Sequence, residues 1–448
     1  MWNDGGHAKI KSLPQIHKQQ GEITVKIKAV NGFKDILPED ALRRQLIEQT
    51  ARDIFARFGM REIRTPILEK TELFARSIGE ATDIVEKEMY TFADKGITMR
   101  PEATASILRA FIEHGMHVRQ PVQRLYTIGP MFRHERPQKG RLRQFHQMDV
   151  EVIGATEPQV DAELMAMGQL LLDTLDIDVS LEINSLGCPV CRPEFRKKLI
   201  SYLEQQRQSL CSDCRRRLQL NPLRVLDCKN KTCRELVKDA PSILEALCPD
   251  CDDHFTAVKH GLDSLGVAYR ENRFMVRGLD YYTRTTFEFI TDALGAQAAV
   301  GAGGRYDGLL KQLDGPDLPG IGFALGVERL ALLMEQHQGN SPFLQVNDLF
   351  VAALGAAATT YASRLVHLCR KNGLKAAMDY SGRSLKAQMK QAGRVNSRFT
   401  LILGDEELSR KEAVLRNMKS REQTTFSLQS SMKEQAEQIT ALLEDNDN

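Results

Sequence analysis

The sequence predicts three parts: an α+β domain, a Cys-rich and mainly helical insert lodged within it, and a smaller C-terminal α/β domain. Three observations carry that expectation. At 448 residues the chain exceeds what a single core organises. Strand and helix patterns mix irregularly up to about residue 340 and alternate regularly from 345 onward. Eight of the nine cysteines fall between Cys188 and Cys251, where the pattern changes to basic helices and turns. The expected bounds are a flexible extension or an upstream start over 1–28, a main domain over 29–340 interrupted at 186–255, and a terminal domain over 345–448.

A composition of 42% hydrophobic and 27% charged residues is that of a globular protein. The net charge of +2 hides an uneven distribution: from Arg364 to Arg398, nine Lys/Arg stand against one acid, Asp379. Such an excess suits contact with a polyanion, and equally a solvated helix face. No apolar run approaches a membrane span and the N-terminus has no signal-like core, so a reducing, cytoplasmic setting is expected.

The main domain opens with a helix. Between Pro38 and Phe58, Leu42, Leu46, Ile47, Ile54, Phe55 and Phe58 recur at helical spacing, and Gly59 ends the run. REIRTPILEKTELFARSIGE follows as a short strand broken at Pro66, which suits a sheet edge, and then a helix. Met89–Arg100 predicts a hairpin turning at Asp94-Lys95-Gly96. Pro101 and Glu102 then begin the helix of PEATASILRAFIEHG, where the helix dipole favours a carboxylate. Val122–Ile128 is a strand, Pro158 to about Leu175 a helix, and VSLEINS a strand. Beyond the insert, VAYRE, FMVRGLDYY and TTFEFI predict three more strands, and GAGGRYDG is dense in glycine. GIGFALGVERLALLMEQ predicts a strand entering a helix at Glu328-Arg329. Residues 337–347 carry the Gly, Asn, Ser and Pro of a linker. The terminal domain alternates DLFVAAL, a helix to Lys371, LKAAMDY, a helix to Gln391, RFTLILG, a hairpin around Lys419 and a final amphipathic helix.

The most informative stretch is Gly129–Glu151, GPMFRHERPQKGRLRQFHQMDVE. Arg133, Arg136, Lys139, Arg141 and Arg143 surround one acid, Glu135, in a loop turning at Pro137 and Gly140. In the strand that leaves it, Phe145, Gln147, Asp149 and Glu151 share a face by the two-residue period. Residue types leave two readings open. One is a pocket for a polyanion beside a small polar molecule; the other is a solvated hairpin with an exposed strand face.

With these pieces placed, the chain resembles the class II aminoacyl-tRNA synthetases and, within them, the histidyl-tRNA synthetase family. TPILEKTELF resembles the first motif of the class, FRHERPQKGRLRQFHQ the second and GIGFALGVERL the third. VRGLDYYTR and AGGRYDG resemble the two signatures of the histidine family. Five motifs in the right order, in a match from about Val30 to the C-terminus, weigh far more than any one of them.

The resemblance implies an antiparallel sheet in the main domain, an anticodon-binding terminal domain and a homodimer joined around Thr65-Pro66. It implies ATP-dependent activation of L-histidine and transfer to tRNA(His), with Mg²⁺ bridging the phosphates. Arg133 would grip the α-phosphate, Arg141 and Arg329 the γ-phosphate, and Glu135 the adenine amino group, which needs an acceptor. Glu102, Thr104 and Gln147 would surround the histidine ammonium, Glu151 and Tyr282 the imidazole, and Tyr306 would line the pocket. Arg277, meeting the reacting carboxylate and the α-phosphate, is the catalytic candidate together with Arg133. Arg215, Arg216 and Arg217 of the insert would touch phosphates of the acceptor stem. The basic helices of the terminal domain would meet the anticodon arm.

Two positions depart from the family or stay open. Ala103 stands where the family has glycine, which matters only if that position needs positive φ. Asp149 either joins the ammonium site or pairs with an arginine.

Cys188-x-x-Cys191, Cys211-x-x-Cys214, Cys228 with Cys233, and Cys248-x-x-Cys251 suit tetrahedral Cys₄ zinc, with thiols enough for two ions. Metal-free thiols in a helical module fit the same spacing. Family members without these cysteines exist, so such zinc would be structural. Cys369 is expected in the core of the terminal domain.

Two other functions share parts of the pattern. A synthetase-like regulatory subunit of histidine biosynthesis, or a sensor of histidine or uncharged tRNA, shares the catalytic fold. Such paralogues usually lose the VRGLDYY-type arginine or the terminal domain, and this chain has both. A zinc-bearing nucleic-acid-binding protein explains the cysteines and Arg364–Arg398 but leaves the ordered motifs as coincidence.

Overall fold

The structure, a computed structural model, describes residues 27–79, 82, 84–297, 299–338 and 346–444. Most of the extension expected at 1–28 and of the linker expected at 337–347 lies outside the described residues.

The main sheet has eight strands: β1 (Arg61–Glu62), β2 (Gln123–Phe132), β3 (Gln144–Ile153), β4 (Ser180–Ser185), β5 (Tyr269–Glu271), β6 (Thr283–Ile290), β7 (Ala299–Arg305) and β8 (Gly320–Gly326). Their order is β1-β2-β3-β8-β7-β6-β4-β5. The inner pairings are antiparallel, and the outermost, β1 with β2 and β4 with β5, are parallel. The antiparallel expectation therefore holds for the centre of the sheet.

Alternation along β3 decides what each face does. Met148, Val150 and Val152 enter a core with Ile47, Ile54 and Phe55 of the helix Pro38–Arg57. Met165 and Leu172 of the helix Pro158–Thr174, and Leu330 and Met334 of the helix Val327–Gln338, complete it. Removing this apolar surface from water is what holds the helical layer to the sheet. The alternate positions Gln147, Asp149 and Glu151 line a cavity on the other face. Asp149 and Glu151 are buried, so the solvated-hairpin reading fails.

Buried arginines fasten the layers. The Arg305 Nε donates to Asp161 Oδ1 and Oδ2 at 3.0 and 2.9 Å, and its Nη1 to the Ala155 carbonyl at 3.0 Å. Both side chains are fully buried, and a bidentate pair with carbonyl partners is the arrangement that makes burial of two charges tolerable. This ties the end of β7 to the helix Pro158–Thr174. A small antiparallel sheet orders Leu68–Lys70, Ile97–Met99 and Tyr90–Phe92 and delivers Arg100, which donates to Thr65 Oγ1 at 2.9 Å and the Pro130 carbonyl at 3.0 Å.

FMVRGLDYY departs from expectation: residues 272–282 form turns and irregular chain, not a strand. Its carbonyls explain why. Those of Met275, Arg277 and Tyr282 accept from the side chains of Asn184, Arg224 and Arg192 in place of a strand neighbour.

The insert folds around its own core of Phe195, Leu199, Leu203, Leu218, Val225 and Val237. The terminal α/β unit has a five-stranded sheet, with Ala376–Met378, Asn347–Leu354 and Ser397–Gly404 parallel, and Glu412–Asn417 and Gln423–Ser427 antiparallel. Cys369 is buried in its core as expected. No helix among the described residues is long and apolar enough to cross a membrane.

Candidate active site

A cavity of about 1410 Å³ opens on the polar face of the main sheet. Every residue assigned to histidine or ATP by the resemblance lines it: Glu102, Thr104, Gln147, Glu151, Tyr282 and Tyr306; Arg133, Glu135, Arg141 and Arg329; and Arg277.

Glu151 is the hub of one end. Thr104 Oγ1 donates to its Oε1 at 2.6 Å and the Tyr306 hydroxyl to its Oε2 at 2.5 Å. The glycines of GIGF make this possible. A Cβ at Gly322 would stand 1.8 Å from Glu151 Oε2, and one at Gly320 would stand 2.1 Å from the Tyr306 ring. Glu102 accepts from the backbone N–H of Thr104 and Ala105, both at 2.9 Å, and so caps the helix Thr104–Glu113. Ala103 has φ −102°, so alanine sits there without strain. The rings of Tyr281 and Tyr282 lie 4.7 Å apart, and Tyr281 meets Tyr306 edge-on at 6.0 Å.

The other end is cationic. Arg133 is held by the Pro101 carbonyl at 2.8 Å and lies over the Phe145 ring, 5.3 Å from its centre. Arg141 pairs with Glu135 at 2.6 Å, while Arg329, in the first turn of its helix, donates to the Ala299 carbonyl. Burial, and then the nearby Arg141, push the Arg329 guanidinium below its ordinary value. Clustered guanidiniums that strain one another's charge are the arrangement a polyphosphate relieves. Between the two ends, Arg277 pairs with Glu288 at 2.5 Å and lies over the Tyr282 ring at 5.1 Å. Gln147 Oε1, Asp149 Oδ2 and Arg277 Nε are buried without a hydrogen-bond partner. Such atoms cost free energy until something polar meets them, and here they line one cavity.

Sequence reasoning passed over two positioning groups. Glu288 was detectable as the one acid in the strand text TTFEFI. Glu328 accepts from the His146 backbone N–H at 2.8 Å and from Arg44 at 2.7 Å, which locks the start of β3 to the first helix. Nothing in one sequence reveals that contact, because it joins residues 284 positions apart.

In the insert the thiols converge as two groups. Cys188, Cys191, Cys248 and Cys251 form one and Cys211, Cys214, Cys228 and Cys233 the other, with all four sulfurs of each within 4.8 Å of one another. The pairing is nested: first motif with last, second with third. Backbone N–H groups of Val190, Cys248 and Cys211 donate to the sulfurs of Cys188, Cys191 and Cys233 at 3.4, 3.1 and 3.3 Å. Arg216 of the insert lies 3.7 Å from Glu86.

Two family models match most of the chain. The family model for histidyl-tRNA synthetase matches residues 32–330, and that for an anticodon binding domain matches 348–438. The chain is similar to a histidine–tRNA ligase of Desulfotalea psychrophila, with 61% identity over 409 residues, 91% of this chain and 95% of that one. A histidine–tRNA ligase of Geobacter sulfurreducens is 55% identical over 88% of this chain and 95% of its own. The crystal structure of apo S. aureus histidyl-tRNA synthetase superposes with a TM-score of 0.76 at 39% identity, covering 94% of this chain and 99% of that one.

Electrostatics give the cavity a measurable signature. Burial pushes the Glu151 carboxyl up to about 8, against the hydrogen bonds from Thr104 and Tyr306. Asp149 lies well above its ordinary value through burial and then repulsion from Glu151 and Glu102, and Arg100 only partly offsets this. A carboxyl whose folded pKa is raised contributes stability at low pH that is lost as pH climbs through the folded value. The ligand-free protein is therefore expected to lose melting temperature from about pH 5 to pH 8 more steeply than its Glu151→Gln variant. Parallel melting profiles for the two proteins would refute the raised carboxyl.

Proposed function

The chain belongs to the histidyl-tRNA synthetase family and is a histidine–tRNA ligase, and from that premise we propose how its cavity performs the reaction. ATP would enter with Mg²⁺, which would supply further positive charge to its phosphates beside the arginines of the cationic end. Arg133 takes the α-phosphate, Arg141 and Arg329 the γ-phosphate, and Glu135 accepts from the adenine amino group. The histidine ammonium lies among Glu102, Thr104 and Gln147, with Asp149 supplying further negative charge. Its imidazole lies between Glu151 and Tyr282, and Tyr306 fixes Glu151.

Arg277 orients the histidine carboxylate against the α-phosphorus. A carboxylate oxygen attacks there, the bond to the β-phosphate oxygen breaks, and pyrophosphate leaves. The terminal ribose hydroxyl of tRNA(His) then attacks the acyl carbon and AMP departs. No protein nucleophile is needed, because position and positive charge carry phosphoryl transfer. The observation that carries this reading is the convergence of an acidic end, a cationic end and Arg277 on one cavity.

The insert's two thiol groups are proposed to hold one zinc ion each, as structural centres. Four sulfurs about 2.3 Å from a tetrahedral zinc stand about 3.8 Å from one another. The separations of 3.6 Å for Cys188–Cys191, 3.8 Å for Cys188–Cys248 and 3.9 Å for Cys211–Cys228 fit that edge and are far from a disulfide. Domain bounds of 29–340, 186–255 and 345–448 suit these units. A reduced, cytoplasmic setting suits the free thiols. A homodimer through Thr65-Pro66 is supported by Ile67 and Leu68, 41% and 46% exposed beside the edge of the sheet.

Purified protein should exchange pyrophosphate into ATP only when histidine is present; a well-folded protein without that dependence contradicts the proposal. Arg277→Ala should raise the adenylation barrier by about 3–4 kcal/mol, the loss of one oriented donor, and near-normal turnover would remove Arg277 from the reaction. Metal analysis of protein purified without added zinc should find close to two zinc ions per chain, whereas a ratio near zero rejects the sites. Sedimentation at micromolar concentration should give a dimer, and a monomer there would exclude the interface.

A further inference from the structure

The loop 272–282 carries Arg277 and Tyr282 outside any strand. Part of its hold comes from the insert. Arg224 Nη1 donates to the carbonyl of Arg277 itself at 3.0 Å, Asn221 Nδ2 to Asp280 Oδ1 at 3.0 Å, and the Arg192 guanidinium to the Tyr282 carbonyl. From the main domain, Asn184 holds the Met275 carbonyl at 3.0 Å, Asn272 donates to the Ile183 carbonyl at 2.9 Å and to Glu182 at 2.6 Å, Glu288 pairs with Arg277 at 2.5 Å, and the Ile78 carbonyl accepts from the Asp280 N–H at 3.3 Å.

Both arginines are rooted beside a thiol group. Arg192 directly follows Cys191, and its Nε also donates to the Leu186 carbonyl at 3.1 Å. Arg224 lies between Cys214 and Cys228, in the short turn Pro222–Val225 that packs on the helix Ser212–Leu220. Cys228 and Arg224 line the same cavity as Arg277.

We propose that Arg224 and Arg192 of the insert are positioning residues for the loop 272–282, so that the insert sets the geometry of amino-acid activation at Arg277. The physical reason is the precision that in-line attack demands: a displacement of about 1 Å in an orienting group costs up to about a hundredfold in rate. A carbonyl held by a guanidinium fixes the backbone from which the Arg277 side chain departs. The insert therefore acts on the first chemical step, before any contact with tRNA.

This inference rests on the proposed role of Arg277, and the experiment separates the two. Histidine-dependent pyrophosphate exchange is measured for Arg277→Ala, Arg224→Ala and Arg224→Lys, with hydrogen exchange of the same proteins followed by mass spectrometry. For Arg224→Ala we expect kcat to fall about ten- to a hundredfold with KM for ATP changed less than about twofold. Amides 276–282 should exchange faster while the main-sheet amides keep their protection, and Arg224→Lys, which retains one donor, should recover part of kcat. If Arg277→Ala collapses but Arg224→Ala turns over normally, the positioning role is wrong and the role of Arg277 stands. If Arg277→Ala is itself normal, both fall. Faster exchange throughout the main sheet, with no recovery in Arg224→Lys, also overturns the proposal, since Arg224 would then be supporting the fold at large. Should Arg224→Ala not fold, Arg224→Gln carries the same comparison.

Discussion

Glu102, Asp149 and Glu151 place three carboxyl groups in the interior of the sheet face, each less than 5% exposed. That burial is the constraint from which most of the site follows. Carboxylates removed from water at close quarters raise one another's pKa, and a fold keeps such a cluster only where partners offset the cost. Here the offsets are local. Thr104 and Tyr306 donate to Glu151, the start of a helix donates to Glu102, and Arg100 and Arg133 lie near Asp149 and Glu102. The remaining deficit is positive charge, which a cationic ligand would supply.

The surrounding architecture serves to keep these groups where they are. Gly322 and Gly320 leave space for Glu151 and the Tyr306 ring, so β8 can lie against β3 without displacing either. Arg305 anchors the end of β7 to Asp161, and the next residue is Tyr306. Glu328 pins the start of β3 to the first helix and places Arg329 one residue later, at the cationic end. A buried ion pair is weak support for stability in general, but at both places it fixes the register of a strand that carries site residues.

Much of this was legible in the sequence, and the reason is periodicity. The two-residue alternation from Phe145 to Glu151 put the polar residues on one face, and helical spacing gave the first helix to within a residue. The motif order identified which residues share the cavity. Three things were not legible. FMVRGLDYY has strand-like residues but turns, because its carbonyls are taken by side chains from the distant Asn184, Arg192 and Arg224. The nesting of the cysteine motifs depends on how the insert closes on itself, which spacing does not encode. Asp149 had no assignment because its setting depends not only on Glu151, two residues along the same strand, but also on Glu102, Arg100 and Arg133, which lie outside that strand.

The proposed site has buried, protonatable acids that receive the cationic end of histidine. Its most direct test is the number of protons released when histidine binds, obtained by titration calorimetry at several pH values from about 5 to 8 in two buffers of different ionisation enthalpy. Binding of a cation favours the charged carboxylates, so the protein should release protons, and Asp149→Asn should release fewer than the native chain. Using the difference between the two proteins removes the contribution of the ligand's own imidazole. Equal proton counts for both would contradict the account.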